Sequence, residues 1–81
     1  MSSGQSPHMK TRLHNRVTGH GWDAPKVEVS GPVRGEPPAS QWLCVIRING
    51  AEWARAYGPS RSAASEAAAT AAYNALLAQG Y

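Results

Sequence analysis

Trp42-Leu43-Cys44-Val45-Ile46-Arg47-Ile48-Asn49-Gly50, followed at once by Ala51 to Tyr57 and an alanine-rich run opened by Pro59-Ser60-Arg61, decides the fold. Alternation with a period of two puts Trp42, Cys44, Ile46 and Ile48 on one face of a strand, and Leu43, Val45 and Arg47 on the other. Asn49-Gly50 is a preferred pair for a type I′ hairpin turn, with a longer loop over Ala51 and Glu52 as the alternative. The chain then pairs back from Trp53 to Tyr57, until Gly58-Pro59 breaks the ladder. Ser60 to Gln79 reads as one long helix with Ser60 as its N-cap. Ala64, Ala68, Ala71, Ala72, Ala75 and Leu76 form a wide stripe of small side chains, which lets the helix sit close against a sheet. Gly80 ends it.

Upstream of this stretch, Ser6-Pro7 suits a helix start, and Met9, Leu13 and Val17 recur at helical spacing as one apolar stripe. Gly19 and Gly21 close that helix, and Lys10, Thr11, His14, Asn15 and Thr18 lie off its stripe. Lys26 to Ser30 alternates as a short half-buried strand. Gly31 to Ser40, interrupted by Pro32, Pro37 and Pro38, reads as a loop. Residues 1–6 are small and polar, either a disordered tail or a remnant of cloning, and residues 7–81 form a single domain. The expected fold is α+β in the order α-β-β-β-α. It has a three-stranded antiparallel sheet with both helices packed on one face, because nothing else is available to bury that face.

Composition narrows the function. The chain has 81 residues, 42% of them hydrophobic and many of those alanine, so the core is thin. The single cysteine, Cys44, excludes an internal disulfide and reads as a small core hydrophobe. A net charge of +3 is compatible with an anionic partner without requiring one. No apolar run approaches a membrane span, which makes an intracellular protein, cytoplasmic or nuclear, the expectation. His8, His14 and His20 share no helix face and have no thiol or acidic company, so no metal is expected. The acids are scattered, with no nucleophile–base pair and no phosphate loop, so neither catalysis nor a cofactor is expected.

From Trp42 onward the chain resembles the double-stranded RNA-binding domain family. The aromatic opening the second strand fits Trp42, and the strand–turn–strand spacing fits Cys44, Ile46, Ile48, Asn49 and Gly50. The serine before the last helix fits Ser60, and the alanine-rich helix fits Ala64, Ala67, Ala68, Ala69, Ala72 and Leu76. Pro25 and Val27 match the start of the first strand, and Leu13 and Gly21 match the first helix more loosely. The similarity covers residues 8 to 78. It implies non-catalytic binding of A-form RNA by shape, through phosphate and 2′-hydroxyl contacts.

Carried over residue by residue, the family's Lys-Lys-x-Ala-Lys stretch falls on Arg61, Ser62 and Ser65, so one cation stands where three are usual. Ser60, Arg61, Ser62 and Ser65 would meet phosphates across the major groove. The Gly-Pro-x-His loop falls on Gly35-Glu36-Pro37-Pro38, or in a shifted alignment on Gly31, Pro32 and Arg34, and Arg34 would then serve as the loop cation. Lys10, His14 and Asn15 would serve on the first helix. The competing expectation is a degenerate member that makes protein–protein or homodimer contacts. It would use Leu43 and Val45, exposed on the open sheet face.

Overall fold

The structure, a computed structural model, describes residues 9–33 and 41–81. The expected tail 1–6, the Ser6-Pro7 helix start, Arg34 and the Gly35-Glu36-Pro37-Pro38 stretch lie outside the described residues. Helix α1 (Met9–Gly19) is followed by strands β1 (Lys26–Val33), β2 (Gln41–Ile48) and β3 (Ala51–Gly58), and then by helix α2 (Arg61–Ala78). The strands form one antiparallel sheet in the order β1-β2-β3. The architecture is α+β with the order α-β-β-β-α, and both helices pack on one sheet face.

The β2–β3 hairpin shows how sequence sets register. Asn49 and Gly50 both have positive φ, at 54° and 83°, and Ile48 pairs directly with Ala51, so the turn is the tight two-residue form. Such a turn without further adjustment would place Arg55 opposite Cys44, pushing a guanidinium into the core. A bulge between the Ile46 and Arg47 pairs absorbs one extra residue, Trp53. Beyond it, Ala54 and Ala56 pair with Ile46 and Cys44 on the helix side, while Arg55 and Tyr57 pair with Val45 and Leu43 on the open side. The strand therefore begins at Ala51, two residues before Trp53.

Strand β1 also runs further than its alternation suggested. It continues through Gly31-Pro32 to Val33, with an irregularity between Ser30 and Val33. Proline lacks an N–H, and an edge strand with a bulge is a place where that loss is tolerated.

The core comprises Leu13 and Val17 from α1, Cys44, Ile46 and Ile48 from β2, Ala54 from β3, and Ala64, Ala68, Ala69, Ala72 and Leu76 from α2. The α2 stripe is rotated slightly from the expected one. Ser65 and Ala69 are buried on it, whereas Ala71 is exposed and Ala75 only half-buried. Small side chains bring α2 very close to β3. A Cβ built on Gly58 would stand 2.6 Å from the Ala64 nitrogen and 2.9 Å from the Ala63 carbonyl carbon. Only glycine fits there, and the contact fixes where α2 begins.

Candidate nucleic-acid interface

The two helices run parallel, with their N-termini at the same end of the molecule. The Met9 N–H donates to Glu66 Oε2 at 2.9 Å, the Arg12 and Arg16 guanidinia lie over the Tyr73 ring, and Arg16 Nε donates to the Tyr81 carbonyl at 2.9 Å. As α1 advances, its partners advance along α2. Each helix N-terminus is the positive end of a dipole and carries unpaired N–H groups, so two such ends meet at one place.

At α2 the N-cap is as expected: Ser60 Oγ accepts from the Ala63 N–H at 3.1 Å. Ser60, Arg61 and Ser62 are all exposed. The Arg61 guanidinium lies over the Trp42 ring, 5.6 Å from its centroid, which ties the start of α2 to the start of β2. The connection from β1, whose residues 34–40 lie outside the described residues, enters β2 beside this pair. On α1, Lys10, His14 and Asn15 are exposed.

Ser65 is a correction. It is 5% exposed, and its hydroxyl donates to the Arg61 carbonyl at 2.8 Å. Its position four residues before Ala69 and seven before Ala72 puts it on the buried stripe, so it faces the core instead of a ligand. There it sits beside Cys44. Burial pushes the Cys44 thiol above its ordinary value, while the Ser65 hydroxyl and Lys10 pull weakly the other way. Leu43 and Val45 also differ from expectation. They are half-buried, shielded by their neighbours across the sheet, and Tyr57 beside Leu43 is the exposed apolar side chain, at 51%.

Charge is sorted between the faces. On the open sheet face the Arg47 guanidinium pairs with Glu28 at 3.5 Å and Arg55 with Glu52 at 3.0 Å. Arg55 donates from two nitrogens and holds Glu52 below the usual carboxylate range. Helix α1 contains no acid at all. The one acid in α2, Glu66, is turned to the α1 N-terminus, where it caps the Met9 amide. Among the described residues the helix side therefore holds Lys10, Arg12, Arg16 and Arg61 against Glu66 alone, and Glu28 and Glu52 lie on the open sheet face.

Three features at this end were not readable from the sequence: the Arg61–Trp42 stack, the Glu66 cap and the seating of Arg12 and Arg16 on Tyr73. Each joins residues distant along the chain, and only the parallel packing of the helices brings them together. The spacing of Arg12 and Arg16, four apart and on the α2 side of Leu13, was the one available signal. No family model matches this chain, and no curated protein is significantly similar to it.

Proposed function

We propose that this chain binds duplex RNA without catalysing a reaction, recognising A-form shape through phosphates and 2′-hydroxyls. The observation that carries the reading is the meeting of both helix N-termini with the start of β2, beside exposed Lys10, His14, Asn15, Ser60, Arg61 and Ser62. That end offers hydrogen-bond donors and cations, and among the described residues its one acid, Glu66, is turned to the Met9 amide through Oε2. The resemblance to double-stranded RNA-binding domains supports the same surface, with Arg34 as a further cation.

The expected affinity is low. Two cations fewer than the family pattern, at about 0.9 unit of salt slope per phosphate on the DNA scale, flatten the slope by roughly 1.8, about tenfold in binding over a fourfold change in salt. Ser62 can still donate a hydrogen bond to phosphate. Titration of a duplex RNA of about 16 base pairs at two salt concentrations, with the matched DNA as control, tests the proposal. RNA preference with salt-weakened binding supports it, and equal or absent binding at low salt refutes it.

A second reading rests on the exposure of Tyr57 beside Leu43 and Val45 on the open face. It makes the sheet a contact surface for a protein or a second copy. Concentration-dependent mass in sedimentation, lost on Tyr57→Glu, would favour it over RNA binding.

A further inference from the structure

The groove between the helices carries a second surface, on the flank of α1 opposite Lys10 and His14. At 100° per residue, Arg12 and Arg16 point toward α2 while Lys10 and His14 point away from it. Both guanidinia lie over one ring, at 5.2 Å and 6.0 Å from the Tyr73 centroid. Like charges four residues apart on a helix repel. Among the described residues neither arginine forms an ion pair. Besides the ring, Arg12 donates to the Met9 sulfur at 3.9 Å and Arg16 Nε to the Tyr81 main-chain oxygen at 2.9 Å. Leu77, one turn beyond Tyr73 on the same face of α2, is 44% exposed, and Tyr81 at the end of the groove is 40% exposed.

We infer that this groove binds an acidic amphipathic peptide segment of a partner protein, with two carboxylates on Arg12 and Arg16 and an apolar side chain against Leu77 and Tyr73. Charge complementarity selects the occupant. The two arginines sit one helical turn apart, about 6 Å along the axis, which matches acids spaced four residues apart on a partner helix. Guanidinia held on an aromatic ring are already oriented, so little freedom is lost when their remaining N–H groups donate to a carboxylate. An RNA backbone would use the charges but not Leu77, and arginines on Tyr73 with an exposed leucine one turn beyond combine the tyrosine and arginine favoured at protein contacts with apolar area to bury.

The probe is a fluorescent helical peptide of about 15 residues, long enough to hold a helix. It carries glutamates four apart and a leucine on the same face, and a second peptide has glutamine in place of each glutamate. Amide NMR shifts and anisotropy are read on the full chain, beside a titration with duplex RNA. The acidic peptide is expected to shift Arg12, Tyr73 and Leu77, and Arg12→Glu to weaken it at least about tenfold. Duplex affinity should fall far less than peptide affinity in that variant, and the melting temperature by no more than a few degrees. Leu77→Gln, which alters no charge, should weaken the peptide as well. No binding at millimolar peptide, or equal binding of the glutamine peptide, overturns the inference. So does a duplex affinity that falls with Arg12→Glu as far as the peptide's does, which would assign the groove to nucleic acid. The peptide arm needs no RNA, so failure of the proposed RNA function would show separately, as absence of duplex binding by the unaltered chain.

Discussion

Replacing Gly58 by alanine tests the link between the sheet and the proposed interface. The added methyl would sit 2.6 Å from the Ala64 nitrogen, a shortfall of roughly 0.8 Å from the 3.4 Å at which ordinary van der Waals contact begins. The obstructing atoms are backbone, in the first turn of α2, and have no rotamer by which to move aside. Either α2 lifts from β3 or the Trp42–Gly58 pairing at the strand end opens. Overpacking of this kind costs about 1–3 kcal/mol. For a domain of this size each kcal/mol moves the melting temperature by roughly 4–8 °C, so a fall of at least about 5 °C is expected. Gly19→Ala is the control: it lies at the end of α1 with nothing within 4 Å, and should hold or slightly raise the melting temperature. Thermal unfolding followed by circular dichroism measures both. Duplex affinity, read well below the transition, should fall for Gly58→Ala because Ser60, Arg61 and Ser62 shift relative to Trp42. A Gly58→Ala protein as stable as the Gly19→Ala one would refute the close approach on which the placement of α2 rests.

Ser62→Lys adds a cation to the exposed first turn of α2 and should steepen the salt dependence of duplex binding by about 0.9 unit, while Arg61→Ala flattens it by a similar amount. Ser65→Ala should leave that slope unchanged, because the Ser65 hydroxyl is buried and already bonded to the Arg61 carbonyl. Ser60→Ala removes the N-cap and should cost about 1 kcal/mol in urea denaturation. Burial raises the Cys44 thiol, so the folded chain keeps a proton that the unfolded chain has lost above its thiol pKa of about 8.5. The unfolded state then binds fewer protons, and stability declines as pH rises past that value. The decline should be absent in Cys44→Ala, so the stability difference between the two chains, measured by urea denaturation on either side of the unfolded thiol's pKa, isolates it.

Local signals in this chain were strong where a single element decided the outcome. The alternation of Trp42 to Ile48, the Asn49-Gly50 turn and the Ser60 cap are each written in a few consecutive residues, and each stands as read. The errors came where two elements had to agree. By sequence β3 opens at Trp53, with a loop over Ala51 and Glu52 as the alternative to a two-residue turn, but the tight turn starts the ladder at Ala51 and makes Trp53 the bulged residue. Gly31 and Pro32 looked like loop residues, yet an edge strand accommodates them. Ser65 falls on a contact position of the family's helix motif, while the exact rotation of α2 puts it in the core. That rotation depends on which alanines meet β2 and β3, and a helix so rich in alanine gives little periodic contrast from which to read it.

Few cations do not by themselves decide how well a surface holds phosphate. A lysine loses most of the freedom of its long side chain when it binds, and that loss subtracts from each contact. Arg61 has already spent part of that freedom on the Trp42 ring, and its planar fork can meet phosphate oxygens in two places at once. The same logic applies in the groove, where Tyr73 holds Arg12 and Arg16. In both places an aromatic ring contributed by another element positions the charge. The stacks connect β2 to α2 in one case and α1 to α2 in the other, so each cation is oriented only when the tertiary structure is intact. A chain with a thin core and few charges can in this way present its arginines in fixed positions, one set at the helix N-termini and one along the groove.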